Sequence, residues 1–271
     1  METSHVIGPV HLVGSSERTD PRDCMVYFVE DGAGGGLLID TGAGPSWKRI
    51  LDTIAKLGAE PSAITDLLLT HCHIDHVGGA PPIVEATGCR VWCHAGDLDG
   101  ICGENPTRTA EGWYGLSYPG VEPDVILGEG MGKCGGSDEV EGPPEGIKGE
   151  EPEEEAKAAP AKKGGGGHYS GEGPWPLMVG DNELVIIHTP GHTPGSLCAY
   201  MDVVDEGERK RVLFAQDAHG PFDPDWGSDR EQWRASIERL MELEADVLCE
   251  GHYGIYRSKG SVRGYLAGLL E

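Results

Sequence analysis

The sequence lacks a long apolar run, a secretion signal and a serine-nucleophile motif, and each absence excludes a class of protein. No stretch approaches the roughly 18 apolar residues of a membrane-spanning helix, so we expect no membrane partner. The first residues, Met-Glu-Thr-Ser-His-Val, have neither a basic region nor an apolar core, which predicts a cytoplasmic protein. The Gly-x-Ser-x-Gly turn of serine hydrolases is also missing, so a serine mechanism has no support.

Basic residues are scarce. The chain has 21 lysines and arginines against 46 acids, a formal net charge of −25. Such a chain repels nucleic acids electrostatically, so we expect no nucleic-acid partner. The late basic cluster Arg257, Lys259 and Arg263 is typical of a solvated helix start. A small-molecule substrate is the remaining expectation, and the oligomeric state stays open.

Eight cysteines are scattered along the chain, and none belongs to a Cys-x-x-Cys pair. Without a secretion signal they are expected to be reduced thiols. Cys89 and Cys93 lie in a segment that alternates like a strand, so they are interpreted as buried thiols and not as an extra metal site.

Residues 70–76 read Thr-His-Cys-His-Ile-Asp-His and concentrate metal-ligand side chains in one short segment. These side chains are His71, His73, Asp75 and His76. Imidazole and carboxylate ligands suit zinc, non-haem iron or manganese. The apolar run 64–69 predicts a buried strand before them, and the prolines at 81–82 predict the first turn of a helix after them. The ligands are therefore expected on a strand-to-helix loop, a frequent position for active sites.

This segment resembles the Thr-His-x-His-x-Asp-His signature of the metallo-β-lactamase-fold metallo-hydrolase superfamily, and further landmarks follow in order. Residues 37–42 resemble its strand-ending aspartate motif, and residues 189–196 resemble the third motif of glyoxalase II-like and lactonase-like members. Residues 213–217, with Gln216 where many members have glycine, and 249–252 resemble the fourth and fifth motifs. The resemblance implies an α/β fold, a four-layer αββα sandwich, in a single domain over residues 1–271.

The resemblance also implies a dinuclear site that holds two zinc ions, with iron or manganese as alternatives. The implied ligands are His71, His73, Asp75, His76, His192, Asp217 and His252. Asp217 and Asp75 are the implied catalytic residues: Asp217 bridges the ions, and Asp75 holds the attacking water and carries a proton. Metals about 3.5–4 Å apart lower the pKa of a shared water toward neutrality. Asp40 either orients a ligand imidazole or caps the turn before Gly42, and both interpretations stand.

Other residues are candidates for the substrate pocket. His219 and Tyr253 lie close to motif residues and are expected either to donate a hydrogen bond to the substrate or to serve the local structure. Trp113, Tyr114, Tyr118 and Pro119 are expected to form pocket walls.

Residues 128–173 are rich in Gly, Glu, Pro and Lys and lack apolar periodicity. Such a segment buries too little apolar surface to offset the entropy of ordering. We expect an acidic flexible insertion within the domain, with the fold resuming at Pro176. It is either a passive surface loop or a lid.

The expected function is that of a metal-dependent hydrolase that cleaves an ester, thioester or lactone bond of a small molecule. Three alternatives stand beside it: a phosphodiesterase or sulfatase-type hydrolase, a mononuclear iron persulfide dioxygenase-like oxidoreductase, and a non-catalytic metal-binding protein. The arginine- and aspartate-containing motif of the dioxygenases is not evident after Asp217. Few residues follow His252, so the helical glutathione-binding domain of true glyoxalase II is not expected.

Overall fold

The computed structural model describes residues 4–129, Cys134, 167–171 and 173–271. Over these residues two β-sheets stack face to face, and helices cover the outer face of each sheet. The predicted four-layer αββα sandwich is confirmed.

The first sheet contains eight strands among the described residues, and they neighbour one another in chain order. They are β1 (His5–Ile7), β2 (Val10–Gly14), β3 (Val26–Glu30), β4 (Gly36–Ile39), β5 (Ile64–Leu68), β6 (Arg90–His94), β7 (Val125–Leu127) and β8 (Gly167–Tyr169). The strands from β1 to β4 are antiparallel, and those from β4 to β8 are parallel. The carboxyl ends of β4, β5 and β6 therefore meet at one edge of the sheet.

The second sheet contains six strands among the described residues, in the order β14-β13-β12-β11-β10-β9. They are β9 (Trp175–Val179), β10 (Asn182–His188), β11 (Leu197–Asp205), β12 (Glu208–Gln216), β13 (Val247–Glu250) and β14 (Ile255–Arg257). β12 and β13 are parallel, so the loops that follow them leave from the same edge.

Seven α-helices lie in the described part of the chain: α1 (Trp47–Lys56), α2 (Ile74–Val77), α3 (Ala80–Thr87), α4 (Leu98–Ile101), α5 (Glu111–Tyr114), α6 (Arg230–Glu242) and α7 (Lys259–Leu269). Single 3₁₀ turns occupy Pro61–Ala63, Ala95–Asp97 and Pro224–Trp226. None of the helices described combines the length and apolar character needed to cross a membrane.

Three apolar clusters separate the layers. The cluster between the sheets includes Leu68 and Phe214, and the cluster outside the first sheet includes Leu67 and Ile54 of α1. A third cluster packs α6 and α7 against the second sheet. Leu67 and Leu68 are both fully buried on opposite faces of β5, as its apolar sequence predicts. Burial of each such side chain contributes about 1.5–3 kcal/mol to the free energy of folding. Strand β5 is therefore a rigid support for the loop that follows it.

Helix α6 begins with Asp229, whose carboxylate accepts hydrogen bonds from the backbone N–H groups of Glu231 and Gln232 at 2.8 and 3.0 Å. The sequence Ser228-Asp229-Arg230-Glu231 resembles a capping box and predicts Ser228 as the N-cap, which is wrong by one residue. The hydroxyl of Ser228 instead donates to the backbone oxygen of His192 at 2.6 Å. The start of α6 is therefore tied to the loop that carries His192.

Residues 130–133, 135–166 and 172, which make up most of the expected insertion 128–173, lie outside the described residues. One described part of that range differs from the expectation. Strand β8 pairs in parallel with β7, with Val125 opposite Gly167 and Leu127 opposite Tyr169. The fold therefore resumes before Pro176, because backbone pairing and the stacking of Tyr169 on Trp92 hold a segment that has little apolar pattern.

Cys102 and Cys134 form a disulfide with a Cα–Cα distance of 5.3 Å, so the expectation of eight reduced thiols is wrong for this pair. The two positions lie 32 residues apart, and only the fold brings them together. The other cysteines are free and buried, including Cys89 and Cys93 as expected. Burial raises the pKa of Cys89 to about 11, which keeps it a protonated packing group.

Candidate metal centre

The loops at one edge of both sheets bring the predicted ligands together. Asp40 follows β4 directly, and His71 lies shortly after β5. From the second sheet, His192 lies between β10 and β11, Asp217 follows β12, and His252 lies just beyond β13. Residues far apart in the chain therefore converge because their strands end at a common edge.

Three imidazoles and one carboxylate oxygen form the first group. Nδ1 of His73 lies 3.2 Å from Nε2 of His71 and 3.0 Å from Nε2 of His192. Oδ2 of Asp217 lies 3.9 Å from Nε2 of His71 and 3.6 Å from Nε2 of His192. All four side chains are buried.

Asp75, His76 and His252 form the second group, and Asp217 joins it through its other oxygen. Nε2 of His252 lies 3.3 Å from Oδ2 of Asp75 and 3.4 Å from Nε2 of His76. Oδ1 of Asp217 lies 3.2 Å from Nε2 of His76 and 3.3 Å from Nε2 of His252. Asp217 thus presents one oxygen to each group.

The donor set fits two metal ions. Ligand atoms about 2.0–2.2 Å from a tetrahedral zinc lie roughly 3.3–3.6 Å apart, close to the nitrogen and oxygen separations in both groups. The buried Oδ1 of Asp217 has no hydrogen-bond partner, which is costly for a carboxylate oxygen unless a cation balances it. His71, His73 and His192 with Asp217 would hold one ion, and Asp75, His76 and His252 with Asp217 would hold the other.

Asp40 lies behind the second group. Its Oδ2 is 2.7 Å from Nδ1 of His76, and its Oδ1 accepts a hydrogen bond from the backbone N–H of Thr70 at 2.9 Å. This contact turns Nε2 of His76 toward Asp217. The hydrogen-bond partners of both Asp40 oxygens are Thr70 and His76, which lie far along the chain from the turn before Gly42. The geometry thus supports the orienting interpretation of Asp40 over the capping interpretation.

Burial sets the charge of the first group. It lowers the pKa of His71 well below the usual value, and the neighbouring His76 lowers it further. Burial and the nearby His192 also lower the pKa of His73 well below the usual value. For Asp217 burial opposes ionisation, but His252 and His76 outweigh it and hold its pKa well below the usual value. Neutral imidazoles facing an ionised carboxylate are in the protonation states that metal binding requires.

An aromatic cleft of about 260 Å³ opens in front of the two groups. Trp113 and Trp226 form its wall, with ring centroids 4.8 Å apart, and the ring of Trp226 also lies 4.5 Å from that of His73. Tyr114 lines the cleft as expected. Tyr118 packs into the apolar cluster outside the first sheet, and neither Tyr118 nor Pro119 lines the cleft, so their expected place in the wall is wrong. Trp226 was not expected, although its position in a Pro-Asp-Trp turn ahead of a helix is visible in the sequence.

His219 and Tyr253 both line the cleft, and their rings lie 4.5 Å apart. Nδ1 of His219 is 2.6 Å from Oε1 of the buried Glu250. The other oxygen of Glu250 accepts a hydrogen bond from the N–H of Tyr253 at 2.7 Å. Glu250, which the sequence marked only as a motif position, therefore fixes both residues.

Gln216 occupies the position where many superfamily members have glycine. Its backbone has a φ of 44°, in the left-handed region that glycine adopts most easily. Asp217 follows this turn immediately, so glutamine in place of glycine at position 216 leaves the carboxylate of Asp217 in the site.

The model of the metallo-beta-lactamase superfamily matches residues 19–252. A hydroxyacylglutathione hydrolase of Jannaschia sp. (strain CCS1) is 56% identical over 43 residues, which cover 16% of this chain and 17% of that one. The probable metallo-hydrolase YflN of Bacillus subtilis (strain 168) is 26% identical over 80% of this chain and 74% of its own. The solved structure of BJP-1, a subclass B3 metallo-beta-lactamase of Bradyrhizobium japonicum, has a TM-score of 0.69 at 22% identity and covers 100% of this chain and 91% of its own. At that identity the likeness to BJP-1 concerns the fold alone.

Proposed function

The chain belongs to the metallo-beta-lactamase superfamily, and on that premise we propose that it is a hydrolase with two zinc ions that cleaves the ester, thioester or lactone bond of a small molecule. The observation that carries the proposal is the position of Asp217, which presents one oxygen to each ligand group. When bound, the metal ions supply an activated water and withdraw electrons from the substrate carbonyl.

Asp75 is the residue that handles the proton. Its Oδ2 lies 3.3 Å from Nε2 of His252 and borders the cleft, where it can orient the attacking water. Once the carbonyl has been attacked, the same carboxyl group can pass a proton to the leaving oxygen or sulfur.

Tyr114 is a hydrogen-bond donor beside this carboxylate. Burial raises its pKa above the usual value, and the charge of Asp75 raises it further. The phenol therefore stays protonated at neutral pH and can donate to the oxygen of the attacked carbonyl. His219 and Tyr253 line the same cleft and are the proposed contacts for the leaving group.

The cleft favours an apolar acyl group. Trp113 and Trp226 offer aromatic faces, and the described residues that line the cleft include no lysine or arginine. Away from the metal ions, the charged group of a phosphodiester or sulfate ester would meet no cationic side chain among these residues. Carboxylic esters with an apolar acyl group suit the cleft better.

A substrate panel tests this function. Purified protein is assayed with aryl esters, thioesters, lactones and a phosphodiester, before and after treatment with a chelator. We expect turnover of at least one carboxylic substrate, loss of activity with chelator, and recovery with zinc or manganese. Turnover of the phosphodiester alone would contradict the substrate class, and chelator-resistant hydrolysis would contradict the mechanism.

A further inference from the structure

Asp97 is a buried carboxylate outside the two ligand groups, and it contacts loops of both sheets. It lies at the end of the 3₁₀ turn that follows β6. Its Oδ2 accepts hydrogen bonds from the backbone N–H of Cys72 at 3.0 Å and from the hydroxyl of Thr193 at 2.6 Å. Its Oδ1 accepts hydrogen bonds from the backbone N–H of Gly195 and from Nη2 of Arg108, both at 2.8 Å. One side chain therefore receives four donors.

Three of these donors come from the two loops that carry the first ligand group. Cys72 separates two of its imidazoles, on the loop that follows β5 of the first sheet. Thr193 follows His192 directly, on the loop between β10 and β11 of the second sheet. Nδ1 of His73 lies 3.0 Å from Nε2 of His192 where these loops meet. The hydrogen bonds of Asp97 therefore form a junction between the two loops.

The junction is closely packed. A Cβ atom on Gly195 would lie 2.5 Å from the backbone nitrogen of Asp97, and one on Gly96 would lie 2.7 Å from the backbone oxygen of Pro194. Both distances are well inside van der Waals contact, so glycine is required at both positions. The two glycines let the short side chain of Asp97 reach the loop of the second sheet.

The junction depends on a charged acceptor. Arg108 balances the carboxylate of Asp97, and its Nη2 also donates to the backbone oxygen of Gly96 at 2.9 Å. A buried carboxylate is costly unless it is paired and hydrogen-bonded, and four donors meet that demand. An amide at this position would turn its NH₂ group toward two of the four donors, because only one of its two polar atoms accepts.

We infer that Asp97 is a positioning residue for the metal ion of the first group. The inference deepens the proposed function and rests on it, because that function requires an ion there. The orientation of His192 is set within its own sheet, since its Nδ1 lies 2.7 Å from the backbone oxygen of Pro221. Asp97 sets the distance between His192 and the imidazoles of the first sheet. None of its four donors belongs to the second group, so metal binding there should depend on it much less.

Zinc binding resolved by site tests this inference without a substrate. Protein with ¹⁵N-labelled histidine is equilibrated at a series of buffered free-zinc concentrations, and the imidazole nitrogen signals are followed. In Asp97→Asn the signals of His73 and His192 should need about tenfold to a hundredfold more free zinc than in the wild type, as when other supporting partners of metal ligands are lost. The signals of His76 and His252 should shift much less.

Asp66→Asn is the matched control. Asp66 is also buried, and its Oδ1 lies 2.8 Å from Nη2 of Arg90 and accepts a hydrogen bond from Nε1 of Trp92 at 2.7 Å. These contacts join β5 to β6 within the first sheet and do not reach the junction. The control removes the same charge and should bind zinc like the wild type. Equal losses in Asp66→Asn and Asp97→Asn would mean that general destabilisation weakens the site, and the inference would be wrong.

A second pair of variants tests the junction with the carboxylate intact, and it serves also if Asp97→Asn does not fold. Thr193→Val removes the hydroxyl and keeps the shape of the side chain. The zinc affinity of the first group should fall by up to about tenfold, since a hydrogen bond to a charged group is lost. Thr193→Ser restores a hydroxyl and should bind zinc more tightly than Thr193→Val. Equal affinities for these two variants would contradict the inference.

The same titrations separate this inference from the proposed function. If the wild type binds zinc at both groups and Asp97→Asn binds it equally well, Asp97 has no positioning role and the proposed function stands. If the wild type binds no zinc at the first group, both are wrong.

Discussion

Oδ2 of Asp40 lies 2.7 Å from Nδ1 of His76, and both side chains are fully buried. The contact directs the other imidazole nitrogen of His76 toward Asp217 and His252. Partners of this kind fix the orientation and the tautomer of a metal-binding imidazole. Asp40 is not itself a metal ligand, but it is expected to govern how tightly the second group binds its metal ion.

Asp40→Asn should lower zinc affinity by about tenfold to a hundredfold, the usual effect of losing such a partner. The amide lacks the negative charge that favours the Nδ1–H tautomer of His76. Competition with a chromogenic chelator measures the affinity. Asp31→Asn, in the turn before β4, is a control expected to bind zinc like the wild type. Equal zinc affinities for the wild type and both variants would contradict the orienting role of Asp40.

Asp217→Ala should reduce metal at both positions, because the two oxygens of Asp217 face different ligand groups. Metal analysis of the purified variant should give clearly less than half of the wild-type content. Asp225→Ala, an exposed aspartate in the following loop, should keep full content. Normal content in the Asp217 variant would show that the carboxylate does not bridge.

His94 should make the protein sensitive to acid. Burial and the adjacent His188, with ring centroids 3.8 Å apart, lower the pKa of His94 to about 3. The unfolded chain takes up this proton below about pH 6.5 and the folded protein does not, so stability falls as the pH drops from 6.5 toward 3. The slope from this one group is at most about 1.4 kcal/mol per pH unit.

In the wild type, Nδ1 of His94 accepts a hydrogen bond from the backbone N–H of Gly96 at 3.0 Å. The variant His94→Asn removes the titrating imidazole and leaves a side-chain acceptor near this N–H. Urea unfolding at pH 7 and pH 5 should show a smaller loss of stability for the variant than for the wild type. Titrating groups that do not contact His94 are common to both proteins and cancel in the comparison. Equal losses would mean that His94 is protonated in the folded state.

Cys134→Ser should destabilise the oxidised protein by about 2–4 kcal/mol, because the disulfide closes a loop in the unfolded chain. With a reductant present, wild type and variant should melt at similar temperatures. If the oxidised and reduced wild-type proteins melt alike, the bond contributes nothing to stability.

The sequence predicted what depends on local spacing. His71, His73, Asp75 and His76 lie in one segment, and the apolar run before them identifies β5. Single landmarks such as Asp217 were assigned through the resemblance to the superfamily, since an aspartate after a strand carries little information alone.

Other features depend on contacts between distant segments, and the sequence did not supply them. The disulfide joins Cys102 to Cys134 across 32 residues, and Glu250 reaches His219 across 31. Strand β8 is held by pairing with β7 and has no apolar pattern of its own. The place of Trp226 in the cleft depends on how the turn before α6 packs against His73.

Titration of metal-free protein with zinc, with bound metal and hydrolysis of a carboxylic ester measured on the same samples, tests the central claim most directly. We expect little activity without metal, a rise with each addition, and a plateau at two ions per chain. A plateau at one ion would contradict the dinuclear site. Full hydrolysis by protein shown to be metal-free would contradict the whole account.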